Sequence, residues 1–221
     1  MADSLTHSPA RLYLLASLCV VWLLNSLDVV LPPIGIPLAL IAIWLFVRSG
    51  RGGWSSLGLR RPRSWTNTFF IAITAAVVKL LIVVGVLFWV LPQVGMDRPD
   101  LSRFSTIQGN VPLLLVYLGV SWITAGFGEE VIWRGFSMGR IAKLLGDSPF
   151  AWLAALMLTS VLFGLLHAYQ GPAGIILTGV SGFVFGAIYL ATNRNLWIPI
   201  IMHGTGDTIS FLILFFAADR L

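Results

Sequence analysis

An all-helical, polytopic membrane protein is the fold class this sequence predicts, and three observations predict it. Hydrophobic residues make up 57% of the 221 and charged residues only 10%, whereas a soluble domain carries roughly 25% charged residues. Mean hydropathy is +0.91. The apolar residues also come in runs close to the roughly 20 that a bilayer-spanning helix needs. Such a chain lacks the polar surface to cover a water-facing globule, which excludes a soluble enzyme, a nucleic-acid binder and a disordered chain. The single cysteine, Cys19, excludes an intramolecular disulfide and a multi-cysteine metal site.

Taken in order, the apolar segments are 12–31, 34–47, 65–91, 111–127, 150–168, 174–191 and 196–216. Pro32 and Pro33 divide the first from the shorter second. The helical pattern of the fourth runs on past Arg134. About seven crossings result. Arg11 before the first run fits a signal peptide, but no small-x-small cleavage site follows, so the run reads as a retained transmembrane helix. With no internal repeat or low-complexity linker, residues 1–221 read as one transmembrane domain.

The charges set an expected topology. Arg48, Arg51, Arg60, Arg61 and Arg63 fall in one short stretch with no acidic residue between them. Under the positive-inside rule this loop is cytoplasmic, and the N-terminus with it. The loop Asp97 to Arg103 is then external, while Arg140, Lys143 and Arg194 return to the cytoplasmic side. The net charge of +5 thus reads as topology and gives no nucleic-acid partner. Short loops fit a multi-pass protein of a bacterial plasma membrane.

Ionisable groups inside a bilayer cost from about 2.5 kcal/mol upward each by insertion scales, so they mark function by default. Here they cluster late, on three helices. Glu129, Glu130 and Arg134 lie in Phe127-Gly128-Glu129-Glu130-Val131-Ile132-Trp133-Arg134; His167 ends Phe163-Gly164-Leu165-Leu166-His167; His203 and Asp207 lie in His203-Gly204-Thr205-Gly206-Asp207. The other histidine, His7, is in the N-terminal tail. Glu130 and Arg134 are i and i+4, the favoured order for an ion pair. Glu129 points about 100° away from Glu130, so one carboxylate can be neutralised while the other faces a cavity as a general base. His203 and Asp207 also share a face.

At these residues the sequence resembles the CPBP family of intramembrane proteases, which contains the CAAX prenyl endopeptidases and bacteriocin-processing or immunity-associated membrane proteins. The family's Glu-Glu-x-x-x-Arg, Phe-x-x-x-His and His-x-x-x-Asn/Asp elements read here as Glu129-Glu130…Arg134, Phe163…His167 and His203…Asp207. The likeness covers residues 110–215. The prenyl-protease branch usually has Asn where this chain has Asp207. The resemblance implies peptide-bond hydrolysis in the membrane. Glu129 would activate a water and His167 would hold it. His203 would stabilise the oxyanion, helped by Asp207, with Glu130 and Arg134 as support. An ionised Asp207 cannot donate to an oxyanion; it would be protonated or would orient His203. The implied partners are the lipid bilayer and a peptide or protein substrate, of which a prenylated CAAX-type peptide is one candidate.

The zinc-protease element His-Glu-x-x-His is absent. Two histidines plus a carboxylate could bind zinc with one open position or hold a water without metal, and the residues are compatible with both. Three further readings compete: a membrane scaffold or immunity factor without catalysis, a small transporter with a polar path, and a rhomboid-like serine protease. The last rests on Gly179-Val180-Ser181-Gly182, which reads better as a close helix-packing face.

Depth poses a difficulty. At 1.5 Å per residue, His167 lies ~30 Å along its helix from the cytoplasmic end, whereas His203 is only ~13 Å deep. A shared site needs a tilted or broken helix, and Gly164 and Gly171-Pro172 offer breaks. Lys79, mid-way along the third segment, is too deep to snorkel easily and is expected to pair with a carboxylate such as Asp207.

Overall fold

The computed structural model describes residues 9–29, 34–49 and 53–217, and these form helices and turns without a strand. His7, the Pro32-Pro33 interruption and Arg51 lie outside the described residues. Seven apolar helices follow one another: α1 Pro9–Ser26, α2 Gly35–Ser49, α3 Trp65–Val94, α4 Val111–Leu144, α5 Pro149–Leu165, α6 Gly171–Ala191 and α7 Trp197–Ala217. Five of them (α1, α3, α4, α6 and α7) are long and apolar enough to cross a membrane; α2 and α5 are shorter apolar helices of 15 and 17 residues. The molecule is an all-α polytopic membrane protein.

Helix starts follow local chemistry. Ser64, Asn110 and Ser148 each accept the N–H three residues on, capping α3, α4 and α5. Pro112 and Pro149 occupy first-turn positions where no N–H is needed. Asp28 accepts the N–H groups of Gly35 and Ile36 and so anchors the start of α2. Gly146 and Asp147 adopt left-handed φ between α4 and α5, as do Asn193 and Arg194 between α6 and α7. These residues reverse the chain in a few steps.

The fourth helix runs on past Arg134, as its helical pattern predicts, and is one element of 34 residues, although the apolar run ends at Phe127. Glu130 and Arg134 pair with each other inside the protein, so hydropathy falls while the helix continues. Every residue from Val131 to Met138 is buried. That stretch packs in one core with Leu18 and Val21 of α1, Ile43 of α2, Phe163 of α5 and Ile200 of α7. Half of the α7 span is buried but only 17% of the α3 span. The helix carrying His203 and Asp207 is therefore interior, and α3 turns Phe70, Leu81 and Trp89 outward to lipid.

The two ends of the bundle gather different loops. At one end the Gly58 carbonyl accepts the Leu196 N–H and Arg60 donates to the Asn193 carbonyl. At the other the Asp100 N–H donates to the Gln170 carbonyl and the Gly109 N–H to Phe215.

Small residues let the site helices approach. A Cβ on Gly164 of α5 would lie 2.5 Å from the Ile175 carbonyl oxygen and 3.1 Å from the Gly179 Cα on α6. A Cβ on Gly126 of α4 would lie 3.4 Å from the Gly204 Cα on α7. Without water to drive helices together, such backbone proximity supplies the packing energy. Gly164→Ala forces one backbone against another and is expected to cost about 1–3 kcal/mol, read as a lowered thermal midpoint in detergent. Gly119→Ala, on the same kind of helix but facing open space, should leave the midpoint unchanged or raise it; equal effects of the two would refute the close-approach argument.

Candidate active site

Between Trp122 and Met138, α4 widens into π-helical turns, an uncommon backbone form that recurs at functional sites. Glu129 and Glu130 sit inside this stretch. Glu130 is fully enclosed, and its Oε1 receives Arg134 Nη1 at 2.8 Å and His203 Nδ1 at 2.8 Å. Arg134 Nη2 donates to the Gly182 carbonyl of α6 at 2.9 Å. The rings of Phe163 and Phe185 flank the guanidinium at 4.6 and 5.1 Å. One carboxylate and one guanidinium thus join α4, α6 and α7.

Gly182 is required for this arrangement. A Cβ there would stand 3.0 Å from the Phe163 ring and 3.2 Å from Arg134 Nη2. Neighbouring Ser181 turns its hydroxyl back to the Leu177 carbonyl at 2.9 Å. The Gly-Val-Ser-Gly element is therefore a packing face against α5 and the arginine.

A carboxylate paired with arginine can only accept, so His203 donates from Nδ1 and its ring is held in one orientation. The Phe185 ring stacks on it at 4.6 Å. Its Nε2 then faces Glu129 Oε2 at 3.9 Å and Asp207 Oδ1 at 3.7 Å. Both gaps exceed a direct hydrogen bond. Asp207 accepts the Ser121 hydroxyl at 2.5 Å. Among the described residues, Glu129 Oε2 and Glu130 Oε2 are buried with no hydrogen-bond partner.

His167 joins the site through Phe163. Its Nδ1 lies 2.9 Å from the Phe163 carbonyl, which accepts only, so Nε2 is the free nitrogen. The Phe163 ring touches both histidines, at 5.0 Å from His167 and 6.2 Å from His203. α5 stops at Leu165 and the chain turns at His167, and the shared Phe163 ring brings the two histidines to one site. All six residues singled out by their charge, Glu129, Glu130, Arg134, His167, His203 and Asp207, thus border one region.

Lys79 differs from expectation. Its amino group lies beside Gly206 and 5.5 Å from the Phe185 ring centroid. Among the described residues it makes no ion pair with Asp207; Asp207 and Glu130 act on it at longer range. Ser121 and Phe185 had no signal in the sequence beyond lying on apolar helices, and Gly182 was marked only as part of a packing face. Their roles come from which helices meet.

Among the described residues no group of three or more His, Cys, Asp or Glu side chains is placed to hold a metal ion. Glu130 Oε1 and His203 Nδ1 are already engaged with each other.

Arg134→Ala leaves the Glu130 charge enclosed and unpaired, a loss of about 3–5 kcal/mol. It is expected to abolish detergent-stable protein, seen as aggregation on gel filtration. Arg134→Lys keeps the charge without the fork that reaches both Glu130 and Gly182, and should lower the thermal midpoint while leaving a monodisperse protein. A wild-type midpoint in both variants would show that the pair does not support the fold.

A search of curated proteins found no match, and neither did a search of solved structures. A family model described as "Type II CAAX prenyl endopeptidase Rce1-like" matches residues 111–209, just under half of the chain. The match begins at the first residue of α4 and ends two residues after Asp207, so it spans every side chain of the site except Lys79. Over α4 to α7 the chain is thus similar to type II CAAX prenyl endopeptidases of the Rce1-like kind.

Proposed function

We propose that this protein hydrolyses a peptide bond of a membrane-held substrate by means of a water activated by Glu129. The observation that carries the reading is the buried, partnerless Glu129 Oε2 set 3.9 Å from His203 Nε2. A buried carboxylate oxygen without a partner calls for a ligand, and the gap suits a bridging water.

In the proposed reaction Glu129 takes a proton from the water as the oxygen attacks the peptide carbonyl. His203, held through Nδ1 by Glu130, presents an Nε2–H as imidazolium to the developing oxyanion. The free Nε2 of His167 accepts from the water and aims it. Asp207, which accepts from Ser121, is read as the residue that orients His203. When the tetrahedral intermediate collapses, the C–N bond breaks and Glu129 returns the proton to the leaving amine. Each of these steps uses the chain's own side chains.

The family's description points to a prenylated C-terminal peptide as the substrate class to try first. Membrane-associated peptides without a lipid remain in the comparison. The arginine-bearing end of the bundle is read as cytoplasmic, with the N-terminus on that side, in a bacterial plasma membrane.

Purified protein should cleave a fluorogenic peptide library that includes farnesylated C-termini, and Glu129→Gln should reduce the rate at least about 10³-fold, since it removes the base that forms the nucleophile. A chelator should leave the wild-type rate unchanged. Loss of activity with chelator would require metal chemistry instead. Equal cleavage by wild type and Glu129→Gln would overturn the glutamate mechanism, and cleavage by neither would favour a scaffold role.

A further inference from the structure

The basic side chains at one end of the bundle do not scatter over its surface. Arg60, from the segment before α3, and Arg194, from the turn between α6 and α7, line one recess of about 490 Å3 together with Trp152 and Asn193. Trp152 and Arg194 also line an adjoining groove of about 260 Å3, to which α4 contributes Arg140 and Lys143. Tyr13 of α1 and Phe46 of α2 form part of the groove's wall. Residues far apart in the sequence thus bring four cations to one concavity.

No acid neutralises them. Among the described residues, the ion pairs involve only Arg134 and His203 as cations. Asp147, the acidic side chain on this end, is engaged by the Trp152 indole N–H at 2.8 Å. The guanidinium groups are nonetheless fixed. Arg194 lies over the Trp152 ring at 4.8 Å, and Arg140 lies over Phe136 at 3.4 Å with its Nε donating to Ser17. Arg60 Nη2 donates to the Asn193 carbonyl at 2.8 Å. Each keeps further N–H groups free, in the fork geometry that suits phosphate oxygens.

We propose that this concavity binds the phosphate of an anionic phospholipid, with the headgroup between Arg60 and Arg194 and an acyl chain along the Tyr13–Phe46 wall. The occupant is a lipid because the cations stand at the ends of membrane-crossing helices and an apolar groove continues from them. Basic recesses between transmembrane helices recognise anionic headgroups in this way. The proposal is independent of the catalytic reading, since none of its residues belongs to the site around His203.

Native mass spectrometry of the detergent-solubilised protein, given equal amounts of phosphatidylglycerol and phosphatidylcholine, tests it. Wild type should retain phosphatidylglycerol in preference. Arg194→Gln should cut that preference about fivefold, the factor that about 1 kcal/mol per basic residue corresponds to. Arg61→Gln removes the same charge from a residue outside the recess and should leave the preference intact. Arg60→Gln also breaks the bond to Asn193, so its effect counts only if its thermal midpoint matches wild type. Arg194→Gln, which breaks no hydrogen bond seen here, decides. Equal retention of the two lipids by wild type, or equal losses in Arg61→Gln and Arg194→Gln, overturns the proposal. Displacement of the lipid by excess inorganic phosphate would overturn the lipid as occupant and assign the recess to a soluble anion.

Discussion

Glu130 and Arg134 are wholly enclosed, so neither charge can be solvated except by the other and by the groups the fold brings to them. That requirement organises the molecule. Arg134 needs a second acceptor and finds the Gly182 carbonyl on α6; Glu130 has a further lone pair and takes His203 from α7. Three helices are therefore tied to one ion pair in a medium where apolar packing alone gives little specificity. Burying such a pair is costly compared with an apolar core. Its return here is orientation, because the same contacts that satisfy Glu130 fix the plane of the His203 ring.

Division of labour between the two glutamates follows from one residue of helical rotation. Glu130 faces inward and is consumed by structure. Glu129, its neighbour, is turned toward His203 Nε2 and Asp207, with an oxygen left unmatched. The π-helical backbone of this stretch sets how far apart the two carboxylates fan. A site with one satisfied carboxylate and one unsatisfied carboxylate on adjacent residues is what a protein needs to hold a histidine and a water at the same time.

The same logic of unmatched groups governs the other end of the bundle, where the excess is cationic. In the active region the charges are nearly balanced and inward. At the arginine end, among the described residues, Arg60, Arg140, Lys143 and Arg194 stand without carboxylate partners, and aromatic rings lie under Arg140 and Arg194. The charged cluster around His203 and the basic recess thus share one small helical frame without sharing residues.

The sequence by itself determined the membrane class, the run of apolar helices and the charged residues of the site. Hydropathy reports the cost of exposing polar atoms to lipid, and an ionisable residue in an apolar run is visible against that background. It also carried the i, i+4 pairing of Glu130 with Arg134, because helical spacing is local. Only the tertiary structure decided how far beyond Arg134 α4 runs, that the Phe163 ring brings His167 and His203 to one site, and that Lys79 stops short of an ion pair with Asp207. It alone gave Gly182, Phe185 and Ser121 their places, and gathered arginines 134 residues apart in the chain, at 60 and 194, around one recess. The physical reason is common to all of these. They depend on which helix faces meet and how closely, and that is set by glycine contacts such as Gly164 with Gly179 and Gly126 with Gly204, which no single-helix pattern contains.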